Sequence, residues 1–195
     1  MRLILIRHGQ TQSNIDRLLD TGHPGAPLTG HGLGQADALV EKLAGEQIQA
    51  VYASDLLRAQ QTATPLAEHL GVPLVTHAGL REIFAGEDDM ATDWAPYVAM
   101  LDAWGDAPDT RLAGGESGAE FLARFDAAVA EVVDSGVECA ALVSHGAAMR
   151  VWVLARAENV DAAAAREYRL DNTDALVLEG GGESWRLLRW ADLDV

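Results

Sequence analysis

The stretch Leu3-Ile4-Leu5-Ile6-Arg7-His8-Gly9-Gln10-Thr11 decides the fold. Its four consecutive apolar residues predict a short strand buried on both faces, which is typical of the parallel sheets of α/β proteins. Arg7, His8 and Gly9 then lie at the carboxyl end of that strand, where open α/β sheets bind their ligands. Glycine lets the backbone turn sharply and approach a ligand closely. We therefore expect a ligand site directly after the first strand.

The side chains that follow the strand suit an anion. Arg7 offers a planar fork of N–H donors that matches phosphate or carboxylate, and His8 offers a nucleophilic nitrogen near neutral pH. A helix beginning between Gln10 and Asn14 would point its free N–H groups at the same place. The pattern predicts an anion held against an imidazole, and the alternative is an ordinary solvated strand end.

Three other segments carry related residues after predicted strands. The apolar run 137–143 is followed by Ser144-His145-Gly146, in the same placement as Arg7-His8-Gly9. Arg58 falls in the first turns of a helix that follows the strand 48–52 and that Ser54 is expected to cap. Glu82 lies on a fourth segment, after the predicted strand 72–75. These positions predict a small cationic cup with one carboxylate beside it.

The rest of the chain continues the alternation of strands and helices. Thr29 is expected to cap a helix with Leu33, Ala36, Leu39, Val40 and Leu43 on one face, and Ser117-x-x-Glu120 is a capping box. The further helices are predicted at 94–104, 118–133, 147–156 and 162–168, and the last strands at 175–178 and 185–190. This order predicts one three-layer α/β/α domain over residues 1–195 with a mostly parallel central sheet.

Composition narrows the function classes. The 195 residues include 30 acidic and 14 basic ones, a formal net charge of -16 that would repel nucleic acid and anionic membranes. Cys139 is the only cysteine, so no intrachain disulfide is possible. No run reaches the roughly 20 apolar residues of a membrane span, and the first apolar run is too short for a signal peptide. We expect a cytoplasmic monomer or homodimer.

Several motifs in order resemble the histidine phosphatase superfamily, also called the phosphoglycerate mutase-like family. They are Arg7-His8-Gly9-x-Thr11-x-x-Asn14, Pro27-Leu28-Thr29 with Gly34-Gln35-Ala36, Ser54-Asp55-Leu56-x-Arg58-Ala59-x-x-Thr62-Ala63, Leu80-Arg81-Glu82, Gly115-Glu116-Ser117 and Val143-Ser144-His145-Gly146. The resemblance covers positions 7 to 146 and implies the phosphoglycerate mutase-like fold. It also implies a phosphatase acting on a small phosphorylated metabolite.

The resemblance assigns a role to each matching residue. His8 would attack phosphorus to give a phosphohistidine, and Glu82 would protonate the leaving alkoxide and later activate water. The other phosphoryl-binding catalytic residues would be Arg7, Arg58 and His145. Substrate contacts are expected from Asn14, Thr11, Gly9, Gly146, Gly22 and His23, and Asn172-Thr173 could also reach the pocket. No His, Asp or Glu cluster has the spacing of metal ligands, and we expect neither a metal nor a cofactor.

The chain departs from the family pattern after Glu82. The segment Ile83 to Asp93 lacks a Gly-x-Trp-x-Gly-like sequence, so the family pattern does not define the substrate-facing wall, and Glu87, Asp88 and Asp89 are the alternatives to Glu82 as the acid. A mutase must hold two anionic groups, and Arg111 is the only basic residue between Glu82 and Glu116. We therefore predict a phosphatase. The alternatives are mutase-type phosphotransfer and a catalytically inactive phosphate-binding module.

Overall fold

The fold is built on one twisted sheet. A computed structural model describes residues 1–161, 163, 165, 168–182 and 184–195. The strands are β1 (Arg2–Arg7), β2 (Ala50–Ala53), β3 (Leu74–Thr76), β4 (Cys139–Ser144), β5 (Ala175–Gly181), β6 (Ser184–Trp190) and β7 (Leu193–Asp194). Among the described residues they form a seven-stranded sheet in the order β3-β2-β4-β1-β5-β6-β7.

The sheet has a parallel half and an antiparallel half. β3, β2, β4 and β1 run parallel to one another, whereas β5 is antiparallel to β1, β6 to β5 and β7 to β6. β1 therefore lies in the middle, with the parallel neighbour β4 on one side and β5 on the other. The carboxyl ends of the four parallel strands meet at one edge, as a ligand site of this fold class requires.

Helices cover both faces of the sheet. They are α1 (Gln12–Asp16), α2 (Gly30–Lys42), α3 (Leu57–Leu70), α4 (Ala95–Ala103), α5 (Gly118–Asp134) and α6 (Gly146–Arg156). Successive strand residues point to opposite faces, so Ile4 and Ile6 pack in the cluster that contains α2 and α3 residues. Leu3 and Leu5 pack in the cluster with α5 and α6 residues. The predicted three-layer α/β/α class is confirmed.

The two halves of the core explain why the first strand is apolar throughout. Leu3, Ile4, Leu5 and Ile6 are all 0% exposed. Burying one such side chain stabilises the folded state by about 1.5–3 kcal/mol, and a polar residue at any of the four positions would face one of the two clusters. The same holds for β4, whose six residues are all buried.

The structure confirms two of the predicted N-cap residues and contradicts a third. The Thr29 side chain accepts from Gly32 N, and Ser117 forms its capping box with Glu120. The prediction that Ser54 caps the next helix is wrong: α3 follows Leu56, which makes no side-chain cap. The Ser54 Oγ instead accepts from Leu56 N at 3.2 Å, which forms a tight turn before the helix.

Two further expectations differ from the structure or fall outside it. Leu33 is 47% exposed although the sequence predicts it on the buried face of α2, because that face runs through Gly32, Ala36 and Leu39 instead. Of the short helix predicted over 162–168, residues 162, 164, 166 and 167 lie outside the described residues. Within the described ranges, no helix combines the length and the apolar character that spanning a membrane would need.

Candidate active site

The predicted residues meet at the carboxyl edge of the parallel strands. His8 directly follows β1, and His145 directly follows the neighbouring strand β4. Their ring centroids are 5.2 Å apart. Arg58 comes from the first turn of α3, after β2, which pairs with β4 on its other side. Neighbouring parallel strands thus bring together residues that are far apart in the sequence.

The His8 ring is held in one tautomer. Its Nδ1 lies 2.7 Å from the carbonyl oxygen of Gly9. A carbonyl can only accept, so Nδ1 carries the proton and Nε2 keeps its lone pair. The ring is 4% exposed, and burial, followed by the charges of Arg58 and Arg7, holds its pKa well below 6.5. His8 is therefore a neutral imidazole with a nucleophilic Nε2.

The His145 ring is held in the opposite tautomer. The Arg58 Nε–H donates to His145 Nδ1 at 3.3 Å. Because a guanidinium N–H can only donate, Nδ1 is the acceptor and the proton lies on Nε2. Burial, followed by Arg58 and the His8 ring, holds the pKa of His145 well below 6.5. His145 thus presents a neutral N–H donor where His8 presents a lone pair.

Two arginines complete the cup. Arg7 Nη1 donates to the carbonyl of Leu170 at 2.6 Å, and Arg58 Nη2 donates to the carbonyl of Asp20 at 2.8 Å. Burial lowers the pKa of both guanidinium groups, and the nearest acidic groups, Glu82 for Arg7 and Asp20 for Arg58, oppose that lowering. Both groups remain charged.

Several buried donors of this cup have no hydrogen-bond partner in the part of the chain that the structure describes. Among the described residues, four buried side-chain nitrogens lack a hydrogen-bond partner: Arg7 Nε, Arg58 Nη1, His145 Nε2 and Trp185 Nε1. The first three belong to this site, where only an acceptor-rich group could satisfy them together. Arg58 Nη1 does have an ionic neighbour, because it lies 3.4 Å from Asp20 Oδ1, which is beyond a good hydrogen bond. The arrangement fits an oxyanion such as a phosphoryl group.

Asp20 belongs to the site, although the sequence did not predict it there. Its side chain is 8% exposed beside Arg58, and its Oδ2 accepts from Ser13 Oγ at 2.8 Å and from Ala26 N at 3.0 Å. The adjoining Gly25 has φ of 72° and packs against Arg58 Nη1 so closely that a Cβ there would displace it. In a chain with this many acidic residues, no spacing distinguishes Asp20 from a solvated loop residue.

Asn14 and Thr11 are arranged around the same pocket. Thr11 N donates to Asn14 Oδ1 at 3.1 Å, and Asn14 N donates to Thr11 Oγ1 at 3.2 Å, so the first turn of α1 is closed by its own capping box. The expected anion site at this helix terminus is therefore partly occupied by the protein itself. Because Thr11 N can only donate, the Asn14 atom facing it is the oxygen, and the amide NH₂ remains for a ligand.

Asn172 connects the C-terminal part of the chain to the cup. Its Nδ2 donates to the His8 carbonyl at 2.9 Å and to Asn14 Oδ1 at 3.1 Å. The residue was expected only to reach toward the pocket, and it instead fixes the backbone of His8 and the orientation of Asn14.

Glu82 lies beside the cup and also caps the start of α6. Its Oε1 accepts from Ile83 N at 2.9 Å and from Ala148 N at 2.8 Å, and its Oε2 accepts from Ala147 N at 3.1 Å. His145, the N-cap residue of α6, makes no side-chain cap, so Glu82 supplies the missing acceptors for that helix. These bonds fix the carboxylate at the pocket wall, where it lines the cavity with Arg7, His8 and Arg58.

The comparison with known families agrees with this geometry. The sequence model of the histidine phosphatase superfamily (branch 1) matches residues 3–193. The chain belongs to this superfamily. The predicted family and phosphatase class are confirmed.

Relatives of this histidine phosphatase include phosphatases and a mutase. The adenosylcobalamin/alpha-ribazole phosphatase of Escherichia coli (strain K12) is 34% identical over 178 residues, which cover 88% of this chain and 86% of the relative. The "Probable phosphoglycerate mutase GpmB" of Klebsiella pneumoniae (strain 342) is 30% identical over 197 residues, covering 97% and 90%. A solved structure of mycobacterial glucosyl-3-phosphoglycerate phosphatase with VO3 superposes with a TM-score of 0.82 at 30% identity, covering 97% and 98%.

Some of the predicted substrate contacts line the pocket of this histidine phosphatase and others do not. Thr11, Asn14 and Gly146 line it, whereas Gly9, Gly22 and His23 are not among the described lining residues. A Cβ at Gly9 would meet the Gly32 carbonyl at 2.8 Å, so this glycine serves the approach of α2 rather than a ligand. The lining residues that were not predicted are Leu18, Leu19, Asp20, Thr21, Trp94, Tyr97 and Ala147.

The divergent acidic segment of the histidine phosphatase closes a turn at the pocket. Asp89 Oδ1 accepts from Thr21 N, Thr21 Oγ1 and Gly22 N at 2.8, 2.8 and 3.0 Å. A Cβ at Gly22 would meet Asp89 Oδ2 at 2.7 Å. Asp89 therefore shapes the wall through Thr21 and does not line the described pocket itself, and neither Glu87 nor Asp88 does so.

The two histidine tautomers of the histidine phosphatase can be measured. At pH 6.5 we expect both rings to be neutral in the free enzyme, with the proton on Nδ1 in His8 and on Nε2 in His145. Nitrogen-15 NMR of histidine-labelled protein, assigned with His8→Ala and His145→Ala, reads both positions. A shared tautomer, or protonation of either ring near pH 6.5, would contradict the geometry.

The lowered pKa values of His8 and His145 also determine how the stability of the protein changes with pH. Unfolded histidines take up a proton as the pH falls through about 6.5, while the folded rings stay neutral until their lower pKa values. The free energy of unfolding therefore falls over that acidic range.

Proposed function

We propose that this histidine phosphatase hydrolyses phosphomonoesters through a phosphohistidine at Nε2 of His8, without a metal. One observation carries the proposal: a buried imidazole with its lone pair on Nε2 shares the cup with three unpaired donors, on Arg7, Arg58 and His145. The nucleophile and the phosphoryl-binding donors are thus already arranged before the substrate arrives, which lowers the cost of reorganisation in the transition state.

In the first half of the reaction, the phosphoryl oxygens accept from Arg7 Nε, Arg58 Nη1 and His145 Nε2. The His8 lone pair forms the N–P bond while the ester P–O bond breaks in line, and the electrons of that bond leave with the alkoxide. The Gly9 carbonyl, which accepts from His8 Nδ1, stabilises the positive charge that develops on the ring.

Glu82 is the acid of the proposal. It lines the same pocket, and in its protonated form it gives its proton to the leaving alkoxide. In the second half, the ionised carboxylate takes a proton from water, the water oxygen bonds to phosphorus, and the N–P bond returns its electrons to His8. Phosphate leaves, and Glu82 carries the proton again.

Hydrolysis is favoured over mutase-type transfer by the position of Arg111. That residue pairs with Glu120 at 3.0 Å on the exposed start of α5 and does not line the described pocket. It therefore adds nothing to the hold on a bisphosphate intermediate. An inactive phosphate-binding module is disfavoured because His8, Arg7, Arg58, His145 and Glu82 are all present and, except for the fully buried His145, line one pocket.

The cellular setting is also part of the proposal. We infer an enzyme of the cytoplasm that works as a monomer or homodimer on a small phosphorylated substrate. The net charge of -16 supports the absence of nucleic acid and membrane partners, because their phosphates would be repelled.

Activity is expected to survive chelation. The phosphoryl charge is met by guanidinium and imidazole groups, and no group of three or more His, Cys, Asp or Glu side chains within the described ranges could hold a metal ion. Hydrolysis of para-nitrophenyl phosphate should therefore be unchanged by EDTA, and vanadate, which mimics five-coordinate phosphorus, should inhibit it. Loss of activity in EDTA that a divalent ion restores would overturn the mechanism.

Removal of either arginine should weaken catalysis without unfolding the protein. Arg7→Ala or Arg58→Ala removes charge-assisted hydrogen bonds worth roughly 1.5–3 kcal/mol each, so kcat/KM should fall about tenfold to over a hundredfold. Arg111→Ala is the matched control and should keep wild-type kinetics. Wild-type kinetics for Arg58→Ala would place that guanidinium outside the reaction.

A further inference from the structure

A groove continues outward from the phosphate cup. Its lining residues are Arg7, Asn14, Arg17, Thr92 and Trp94, and we call it the leaving-group groove. Arg7, Asn14 and Trp94 also line the cup, so the two spaces share a wall. A phosphoryl group in the cup would direct its ester oxygen and the attached alcohol toward such a continuous space.

Trp94 forms a fixed aromatic wall of this groove. Its indole Nε1–H donates to the Arg17 carbonyl at 2.9 Å, and its ring meets Tyr97 edge to face, with centroids 6.5 Å apart at 85°. Both contacts set the ring orientation, yet Trp94 remains 40% exposed. A rigid, partly exposed indole offers stacking area at little cost in conformational entropy.

Arg17, whose backbone carbonyl accepts the hydrogen bond from the Trp94 indole, is the second residue of interest in the groove. It ends α1 with φ of 56°, and its N–H donates to the carbonyls of Asn14 and Ser13. Glycine is the usual residue at such a left-handed helix end, and another residue there is strained. Inside the described ranges, no hydrogen bond or ion pair to the Arg17 guanidinium occurs. A guanidinium of this kind can stack on an aromatic face.

The groove carries polar groups on Asn14, Arg17 and Thr92, and apolar side chains line part of the adjoining cup. Leu18, Leu19 and Tyr97 supply apolar surface there, and the Tyr97 hydroxyl already donates to the Ile83 carbonyl at 2.9 Å. A flat apolar group would lose little on entering.

We propose that the leaving-group groove selects phosphomonoesters whose alcohol carries an aromatic ring a few bonds from the ester oxygen. The ring stacks on Trp94, and the Arg17 guanidinium covers its edge or its second face. This inference rests on the proposed function, since it needs the phosphoryl group to lie in the cup, and it names the class of substrate for that site.

The test compares three phosphate esters of primary alcohols, so that the chemistry at the ester oxygen stays similar. These are 2-phenylethyl phosphate, butyl phosphate and glycerol 3-phosphate. In the wild type, kcat/KM for the phenylethyl ester should exceed that for the butyl ester by about two- to tenfold, the range expected for one aromatic contact. Glycerol 3-phosphate, which has no ring, should also be a poorer substrate than the phenylethyl ester.

Variants of the groove locate the preference. Trp94→Ala should bring the ratio of phenylethyl to butyl ester close to one, Trp94→Phe should keep most of it, and Arg17→Gln should reduce it. Val98→Ala is the control, because Val98 is 47% exposed on α4 and does not line the groove. It should leave the ratio at the wild-type value.

The outcomes separate this inference from the proposed function. A wild-type ratio near one, a ratio unchanged in Trp94→Ala, or an equal loss on all three esters in that variant would overturn the groove. Failure of His8-dependent hydrolysis on every ester would overturn the proposed function instead. The groove would then be judged by calorimetric binding of 2-phenylethylphosphonate against butylphosphonate, where equal affinities contradict it.

Discussion

His8→Ala is expected to form no phosphoenzyme and to lose turnover by about four to six orders of magnitude, the range typical of removing a covalent nucleophile. The wild type mixed with substrate and quenched should carry an acid-labile, base-stable phosphate. The alanine variant should carry none, because no other side chain of the described cup offers a free nitrogen lone pair in place of His8 Nε2. His145 cannot substitute, since its Nδ1 already accepts from Arg58 and its Nε2 carries the proton.

The folding of this variant can be checked separately. Among the residues that the structure describes, His8 makes its one side-chain hydrogen bond with its own neighbour, the Gly9 carbonyl, so the packing of β1 should persist. His31→Ala, an exposed substitution on α2, is the matched control and should keep full activity. A phosphoprotein of undiminished yield in His8→Ala would rule out His8 as the nucleophile.

The second large effect concerns Glu82→Gln and depends on the leaving group. An alkoxide needs a proton to leave, and general-acid assistance is worth about 10²–10⁴-fold, whereas para-nitrophenolate leaves readily without one. The burst of phosphoenzyme formation should therefore slow far more for butyl phosphate than for para-nitrophenyl phosphate. Single-turnover bursts are the measurement, because Glu82 also activates water in the second step and steady-state rates would mix the two roles.

Glutamine is the informative substitution because of the second role of Glu82. Its carbonyl oxygen can still accept from Ile83 and Ala148, while the bond to Ala147 is lost, so α6 should be weakened by about 0.5–2 kcal/mol and remain folded. Glu87→Gln is the control in the neighbouring segment. Equal slowing of both bursts in Glu82→Gln would show that Glu82 is not the general acid. Glu87, Asp88 and Asp89 would then be the candidates.

The cup itself could be predicted because it follows from strand order. A basic or histidine residue directly after a buried parallel strand must lie at one edge of the sheet, and this applies to His8 and His145 alike. Arg58 follows from the same rule, one helical turn further. The fold class, and the helix caps at Thr29 and Ser117, could be predicted from equally local patterns.

The supporting contacts could not be predicted because they connect segments with no common period. Asp20 reaches Arg58 from a loop, and Asn172 reaches His8 from the segment before an antiparallel strand. The cap that Glu82 places on α6 joins a loop to the first turn of that helix through backbone N–H groups, so no residue type in the helix predicts it. Trp94 directly follows the segment 83–93 in which the family pattern fails, so only the structure places it at the groove.

The central position of β1 has a consequence for synthesis of the chain. β1 is made first, but it pairs with β4 and β5, which the ribosome completes only after residues 144 and 181. At about 5–20 residues per second, this apolar strand waits on the order of ten seconds for its neighbours. Without them it is an unpaired, aggregation-prone segment. Arg7 and His8 also wait for the Leu170 carbonyl and the Asn172 amide. A nascent chain therefore lacks an assembled cup, and its first apolar strand stays without its two neighbours, until the last strands emerge.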